Sequence, residues 1–189
     1  LWAPQSARAD GHSLAAEAHV EAMIRSAKSL LATDNGDSTV RANQVAELLD
    51  TYFDFAGITR FSAGQYWRTA SAEEKQEYQL VIREAIIGTV VRNFDQLKGL
   101  EYSHVATIEK GNKLVLVMGR FSDTVGNRPS ILVNWRVITM PGKPVKVLDI
   151  EIENISMLVT QKQENIAIIR KNKGEFAALI AAMRDKLAG

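Results

Sequence analysis

The sequence changes period at Gly99. Before it, apolar side chains recur at helical spacing; after it come four strand-like runs, YSHVATIEK, KLVLVMGRF, ILVNWRVITM and VKVLDIEIENI. Apolar residues that alternate or bunch over such short runs build strands rather than helices. The links between the runs are Gly111-Asn112, SDTVGNRPS and PGKP. Gly and Asn tolerate positive φ, and Pro fixes φ, so these links are turns. They are too short to hold a crossover helix, and the strands are therefore expected to form an antiparallel meander. Helices, then a sheet, then helices is the plan of an α+β domain.

Upstream, Val20, Met23, Ile24, Ala27, Leu30 and Leu31 predict an amphipathic helix over about Ser13–Ala32, stopped by TDNGDS. A second helix carries Val45, Leu48, Leu49, Tyr52 and Phe53. The aromatic-rich FDFAGITRFSAGQYW predicts a short helix between Gly57 and Gly64. Ser71 and Glu74 form an S-x-x-E capping box. The helix they open is expected to reach about Lys98, with Gly99 as its left-handed stop. Two helices, about Thr160–Asn172 and Glu175–Leu187, close the chain, with Gly174 as the break. No repeat, low-complexity segment or linker divides these elements.

A chain of 189 residues can bury a sizeable core. Lys+Arg 23 against Asp+Glu 22 gives +1, which offers no electrostatic footprint for nucleic acid. Apolar runs such as Ala85–Val91 fall far short of the roughly 18 residues of a membrane span, so a soluble protein is expected. The absence of cysteine excludes disulfides, thiolate metal sites and a cysteine nucleophile. His12, His19 and His104 lack metal-ligand spacing and read as structural or solvated. Neither G-x-x-x-x-G-K-[ST] nor G-x-S-x-G occurs.

Asp149, Glu151 and Glu153 alternate onto one strand face, opposite Leu148, Ile150 and Ile152. They are available as general acids, but a solvated strand face is the better reading. Tyr66-Trp67-Arg68 and Trp135-Arg136 read as core aromatics with snorkelling arginines rather than as a nucleic-acid surface. What remains is apolar surface. A sheet with helices laid over it closes into a solid core or leaves a cavity, and a core stripe and a pocket lining have the same pattern. The same ambiguity holds at ENISMLV, where Ile155, Met157, Leu158 and Val159 crowd together at a strand end. They cap the core or supply the wall of an apolar tunnel. At the N-terminus, Ala7-Arg8-Ala9 has the A-x-A form cut by signal peptidase. Leu1–Ala9 is accordingly expected to be the tail of an export signal, with one domain over 10–189.

Three segments resemble the MlaC-like family of periplasmic phospholipid-binding proteins, also called the toluene-tolerance family. FDFAGITRFSAGQYWRTASAEEKQEYQLVIREAI is similar to the family's F-D, short helix, L-G-x-x-W/Y and long helix. DTVGNRPSILVNWRV is similar to its G-x-P hairpin and W-R strand. VLDIEIENISMLVTQKQENIAIIRKNKGEFAALIAAM is similar to its D-x-x-(V/I)-E-G-(V/I)-S-M and the helices that follow. Order and spacing agree over about Leu48–Leu187. Ala63 departs from the usual Leu, Asn154 from the usual Gly, and Ile166 from a frequent aromatic, changes that reshape a pocket.

The resemblance implies a strongly bent four-stranded antiparallel sheet packed against about six helices, of cystatin-like or nuclear-transport-factor-like shape, with an apolar cavity between. It implies a periplasmic carrier that shuttles phospholipid between an inner-membrane ABC transporter complex and an outer-membrane lipoprotein–porin complex. No catalytic residue, metal or cofactor beyond the lipid is implied. The lipid-binding positions it suggests begin with Phe53, Phe55, Ile58, Phe61 and Trp67. On the long helix they are Tyr78, Ile82, Ala85, Ile86 and Thr89; on the strands, Leu116, Met118, Val133, Trp135, Val137, Ile150 and Ile152. Ile155, Met157, Val159, Ile166 and Ile169 complete them.

A hopanoid or other apolar lipid is the alternative cargo, and SMLVTQ and YWRTAS are at least as close to a hopanoid-associated subgroup. A small-substrate enzyme of the same shape and a solid-core adaptor are the competing classes. At about 0.8 kcal/mol per buried CH₂, two chains of about 16 carbons cost on the order of 20 kcal/mol to expose, so such a lipid needs a carrier to cross water.

Overall fold

The switch at Gly99 is a switch from helix to sheet. The computed structural model describes residues 6–189, with side chains from residue 11 onward. Helices α1 (Ser6–Thr33), α2 (Ser38–Tyr52), α3 (Phe55–Ala63) and α4 (Ala72–Arg92) precede the sheet. Strands β1 (Leu100–Lys110), β2 (Leu114–Asp123), β3 (Ile131–Ile138), β4 (Lys146–Ile152) and β5 (Ile155–Ser156) follow, then α5 (Met157–Lys171) and α6 (Phe176–Ala188). The sheet is an antiparallel meander in the order β1-β2-β3-β4-β5. Of the segment read as an export tail, Leu1–Gln5 lie outside the described residues and Ser6–Ala9 begin α1.

The capping box forms as expected: Glu74 N donates to Ser71 Oγ at 3.1 Å, and Ser71 N to Glu74 Oε2 at 2.8 Å. The helix it opens stops at Arg92, however, and not near Lys98. Asn93 ends it, its Nδ2 donating to Thr89 O at 2.8 Å. Phe94 then turns inward to pack with Val45 and Leu49 of α2, and a short 3-10 turn spans Phe94–Leu97. Gly99 does take positive φ, 79°, but as the turn into β1.

The sheet has five strands rather than the expected four. Glu153 and Asn154 both take positive φ, 49° and 64°, the backbone of the tightest hairpins. The chain doubles back for the two residues of β5, where Ile155 pairs with Ile152. Ser156 then caps α5, its Oγ accepting from Val159 N at 2.9 Å. Asn154, which tolerates the left-handed region, makes this turn possible. A polar turn exists after all, and the crowded apolar residues follow it, in β5 and the first turn of α5.

The register divides the sheet into two faces. Val115, Val117, Val133, Trp135, Val137 and Val147 are buried together beneath Ala16, Val20 and Met23 of α1. Leu116 and Met118 point the other way, opposite Arg136 and Asn134. A second cluster lies among the helices, with Tyr78, Ile82, Leu158, Ile169, Phe176 and Leu179 at its centre. Phe53 touches both, and also the α2–α4 cluster of Val45, Leu49 and Phe94. Its bridge to Val147, with Asp54 N donating to Val147 O at 2.9 Å, joins the helices to the edge of β4.

One strand reading is corrected. Asp149 is not on a solvated face; it is 4% exposed. The β3–β4 register shifts between Arg136 and Val137, so Leu148 is an extra residue and Asp149 faces Arg136. The start of α5 then closes over it.

Candidate functional site

The face beneath α1 carries the site's distinctive side chains. Tyr102 on β1 pairs with Phe121 on β2, and Val117 on β2 pairs with Trp135 on β3. Their rings converge: Tyr102 lies 5.2 Å from Phe121 and 6.5 Å from Trp135, and Phe121 lies 6.4 Å from Trp135. The convergence depends on Gly119. A Cβ there would meet the Tyr102 hydroxyl at 2.1 Å, so only glycine lets the phenol lie on the strand. Tyr102 Oη and Trp135 Nε1 are buried, and among the described residues neither has a hydrogen-bond partner. Burial pushes the Tyr102 hydroxyl above its ordinary pKa, the Trp135 N–H nearby pulls it down, and the Glu21 charge pushes it up again. No hydrogen bond closes between the two side chains.

α1 covers this face unevenly. Towards the ends of β3–β5 the apolar residues emerge: Ile131, Ile152 and Ile155 are 37%, 40% and 59% exposed. Ile131 pairs with Phe121, and Ile152 with Val133 and Ile155. They therefore continue the face that holds the aromatic cluster.

The residues expected to hold lipid are distributed over the fold. Val133, Trp135 and Val137 lie under α1, with Ile150 half-buried beside them and Ile152 and Ile155 at the open end. Leu116 and Met118 lie on the other face. Ile58, Tyr78, Ile82 and Ile169 centre the helical cluster, with Trp67 and Ala85 packed on it. Phe53 and Ile86 are shared between clusters, and Phe55 packs on the α2–α4 group. Phe61 and Met157 are exposed, and Val159 and Ile166 are half-buried. Ile166 lies against Gly64, 3.1 Å from where a Cβ would stand. Thr89 is exposed, and its hydroxyl donates to Ala85 O at 2.8 Å.

The structure therefore joins the β3–β5 residues into one surface and keeps most of the α4 stripe apart from it. Tyr102, Gly119, Phe121 and Ile131 belong to that surface and were absent from the expected set. Gly119 and Phe121 share the parity of Val117, which was the available signal. The alternation of β1 is broken by a bulge between His104 and Ala106, which hides Tyr102.

Other polar groups inside the fold are occupied. Tyr78 Oη lies 2.7 Å from Ser62 Oγ and accepts from Asn165 Nδ2 at 2.7 Å, which pins α3, α4 and α5 together. Burial pushes the Tyr78 pKa up to about 12, against the pull of these two bonds. The Asp149 carboxylate accepts from Leu158 N at 2.9 Å, Ile150 N at 2.7 Å, Ser156 Oγ at 2.5 Å and Arg136 Nη1 at 3.4 Å. It is saturated, with no oxygen left aimed at a cavity. His19 Nε2 lies 3.0 Å from Tyr52 O, and burial lowers its pKa. Among the described residues no group of three or more His, Cys, Asp or Glu could hold a metal ion, and no helix is long and apolar enough to cross a membrane.

Clefts on the surface are small. One of about 230 Å³ lies between Glu74 and Glu77 of α4 and Ala177, Ala181 and Arg184 of α6. Another, about 240 Å³, lies beside α3, between Gly57, Arg60 and Phe61 and the strand residues Ile138 and Leu148. Both fall short of the roughly 300 Å³ at which small-molecule pockets begin.

Fold and site define a class: an α+β protein whose antiparallel sheet is roofed by helices on an apolar, partly open face. The chain belongs to the MlaC family, whose model, described as MlaC protein, matches residues 17–185. Among solved structures, the phospholipid-binding protein from Ralstonia solanacearum in complex with a phospholipid is similar in fold. Its TM-score is 0.75 at 23% identity, over 92% of this chain and 97% of that one. A search of curated proteins finds no match to the sequence.

Proposed function

We propose that this chain is a periplasmic carrier that holds a phospholipid by its acyl chains and ferries it between an inner-membrane ABC transporter complex and an outer-membrane lipoprotein–porin complex. The observation that carries this reading is membership of the MlaC family over residues 17–185. The phospholipid held by the Ralstonia solanacearum protein of the same fold supports it. The exposed apolar residues at one end of the helix-covered face support an entry point for the acyl chains. They enter at the open end of the helix-covered face, along Ile131, Ile152 and Ile155, and slide between α1 and the sheet. Such a carrier replaces membrane burial with protein burial and then releases its cargo, so it needs no catalytic group.

The test is extraction of protein purified from its host's periplasm with organic solvent, followed by mass spectrometry. The expected result is phospholipid near one per chain; a hopanoid in its place would reassign the cargo. Protein that carries no lipid, and takes none from vesicles, would overturn the reading.

A further inference from the structure

Tail-first entry along Ile131, Ile152 and Ile155 leaves the polar end of a phospholipid at the rim of the sheet. The strip sits where β2 ends and β3 begins, since Ile131 pairs with Phe121. On the α1 side of this rim a phosphate meets Glu21, whose charge is close enough to act on Tyr102. The other side is different. Arg120 and Leu132, the pair next to Phe121 and Ile131, alternate onto the face away from α1. Arg120 Nη1 donates to Ser130 Oγ at 3.0 Å. Ser130 directly precedes Ile131, so this bond draws the guanidinium along the strand to the rim. Beside Ile131 the sheet is open on its other edge, because β4 ends at Ile152, opposite Val133. A headgroup can therefore pass round the strand end from the apolar strip to Arg120.

Ion pairing singles out Arg120. Arg25, Lys28, Lys98 and Arg128 lie at the same end of the fold. Each has a carboxylate: Glu21 at 3.8 Å, Glu101 at 2.6 Å, Asp95 at 2.7 Å and Asp123 at 2.6 Å. Among the described residues Arg120 has none. Of the acids near it in the register, Glu101 is held by Lys28. Glu153 lies on the opposite edge of β3, its Oε1 accepting from Leu132 N at 2.7 Å.

We propose that Arg120, with Ser130 beside it, binds the phosphodiester of the cargo lipid at the rim, while the acyl chains lie past Ile131 under α1. The assignment rests on the carrier reading above. A guanidinium matches a phosphate in charge and in shape, with parallel N–H donors for two of its oxygens. Binding at the rim keeps the phosphate hydrated, so no charge is carried into the apolar face. An exposed ion pair also contributes little, which lets a carrier release the headgroup again.

The experiment measures calorimetric binding of three probes to the delipidated chain: dihexanoyl phosphatidylglycerol, dihexanoylglycerol and glycerol phosphate. They offer chains with phosphate, chains alone and phosphate alone. An exposed ion pair contributes enough for about a two- to fivefold change in affinity. At low salt the wild-type chain should bind the phospholipid tighter than dihexanoylglycerol by that factor, and the margin should shrink as salt screens the pair. Arg120→Gln should remove the margin and leave dihexanoylglycerol binding unchanged. Arg120→Lys should keep part of it, since the charge remains without the fork of donors. Glycerol phosphate should bind far more weakly than the phospholipid, because it has no chains for the strip. The delipidated Arg120→Gln chain should melt with wild type, because the bond it loses is to an exposed serine.

If Arg120→Gln weakens both lipids equally, or neither, the phosphate site is overturned while the carrier stands. A lower melting temperature would make Arg120 structural and overturn it too. Glycerol phosphate bound as tightly as the phospholipid would give the site to a free phosphate and end the lipid assignment. Failure of both chain-bearing lipids to bind would sink the carrier reading itself.

Discussion

Tyr78 and Tyr102 each place a hydroxyl inside the protein, and among the described residues only that of Tyr78 has partners. Tyr78 is fully buried and bonded to Ser62 and Asn165, side chains from two other helices. Removing its oxygen takes a hydrogen bond from each of two buried partners, leaving Ser62 Oγ only Thr59 O and Asn165 Nδ2 only Ser62 O. Tyr78→Phe is therefore expected to lower stability by about 1–3 kcal/mol, read from the urea midpoint. The hydroxyl also has a pH signature. Its pKa is about 12 in the folded chain against an ordinary 10.0, so above pH 10 the unfolded chain loses a proton that the folded one keeps. The wild type should lose stability as pH rises from 10 through 12. Tyr78→Phe should lack that increment, and identical alkaline profiles for the two proteins would contradict the assignment.

At the scale of elements, α4 tests which part of the fold is core. Its side chains Tyr78, Val81 and Ile82 are buried, with Ala85 and Ile86 packed against the same cluster as α6. A small residue at 85 fits a close approach of helices as well as it fits an acyl chain. Ala85 packs against the helical cluster, and we propose that it serves helix packing. Ala85→Trp should overpack the cluster and cost about 1–3 kcal/mol, with bound-lipid content unchanged. Near-normal stability with less lipid, or shorter chains, would instead make α4 a wall of the lipid site. Phe53 is the other decisive element-scale residue, since it is the side chain shared by all three apolar clusters. It sits where the α2–α3 joint bridges to β4.

At the scale of the whole molecule, the carrier reading couples ligand and fold. A lipid that binds only the folded chain stabilises it by RT ln(1 + [L]/Kd), about 2.7 kcal/mol at a hundredfold excess over Kd. For a chain of this length that corresponds to about 5–10 °C in melting temperature. Delipidated protein should therefore melt about that much below the loaded form and recover on reloading. Scanning calorimetry of both forms checks this, and coincident transitions would show that the lipid is not held inside the fold. The open end of the covered face suits this role: Ile131, Ile152 and Ile155 are apolar yet exposed, and an acyl chain laid along them would shield them.

Local conformation was legible from the sequence wherever φ, ψ and spacing fix it. The change of period at Gly99, the meander, the Ser71–Glu74 capping box and the Gly111 and Gly174 turns are properties of short segments. So was the resemblance to the family, which depends on the order of such segments. Alternation separates a strand's two faces but does not say which face a helix will cover. In β3, Val133, Asn134 and Trp135 are all buried, so burial erases the alternation there; in β1 a bulge breaks it. Leu116 and Met118 thus looked equivalent to Val133 and Trp135, although the register sets them on opposite faces. Asp149 looked solvated because the residues that cover it, at the start of α5, arrive from beyond a hairpin. The meeting of Tyr102, Gly119 and Trp135 required three strands in register and α1 laid over them. Only the tertiary structure decided it, because contacts between distant segments depend on how whole surfaces dock and not on the conformational preferences of any one of them.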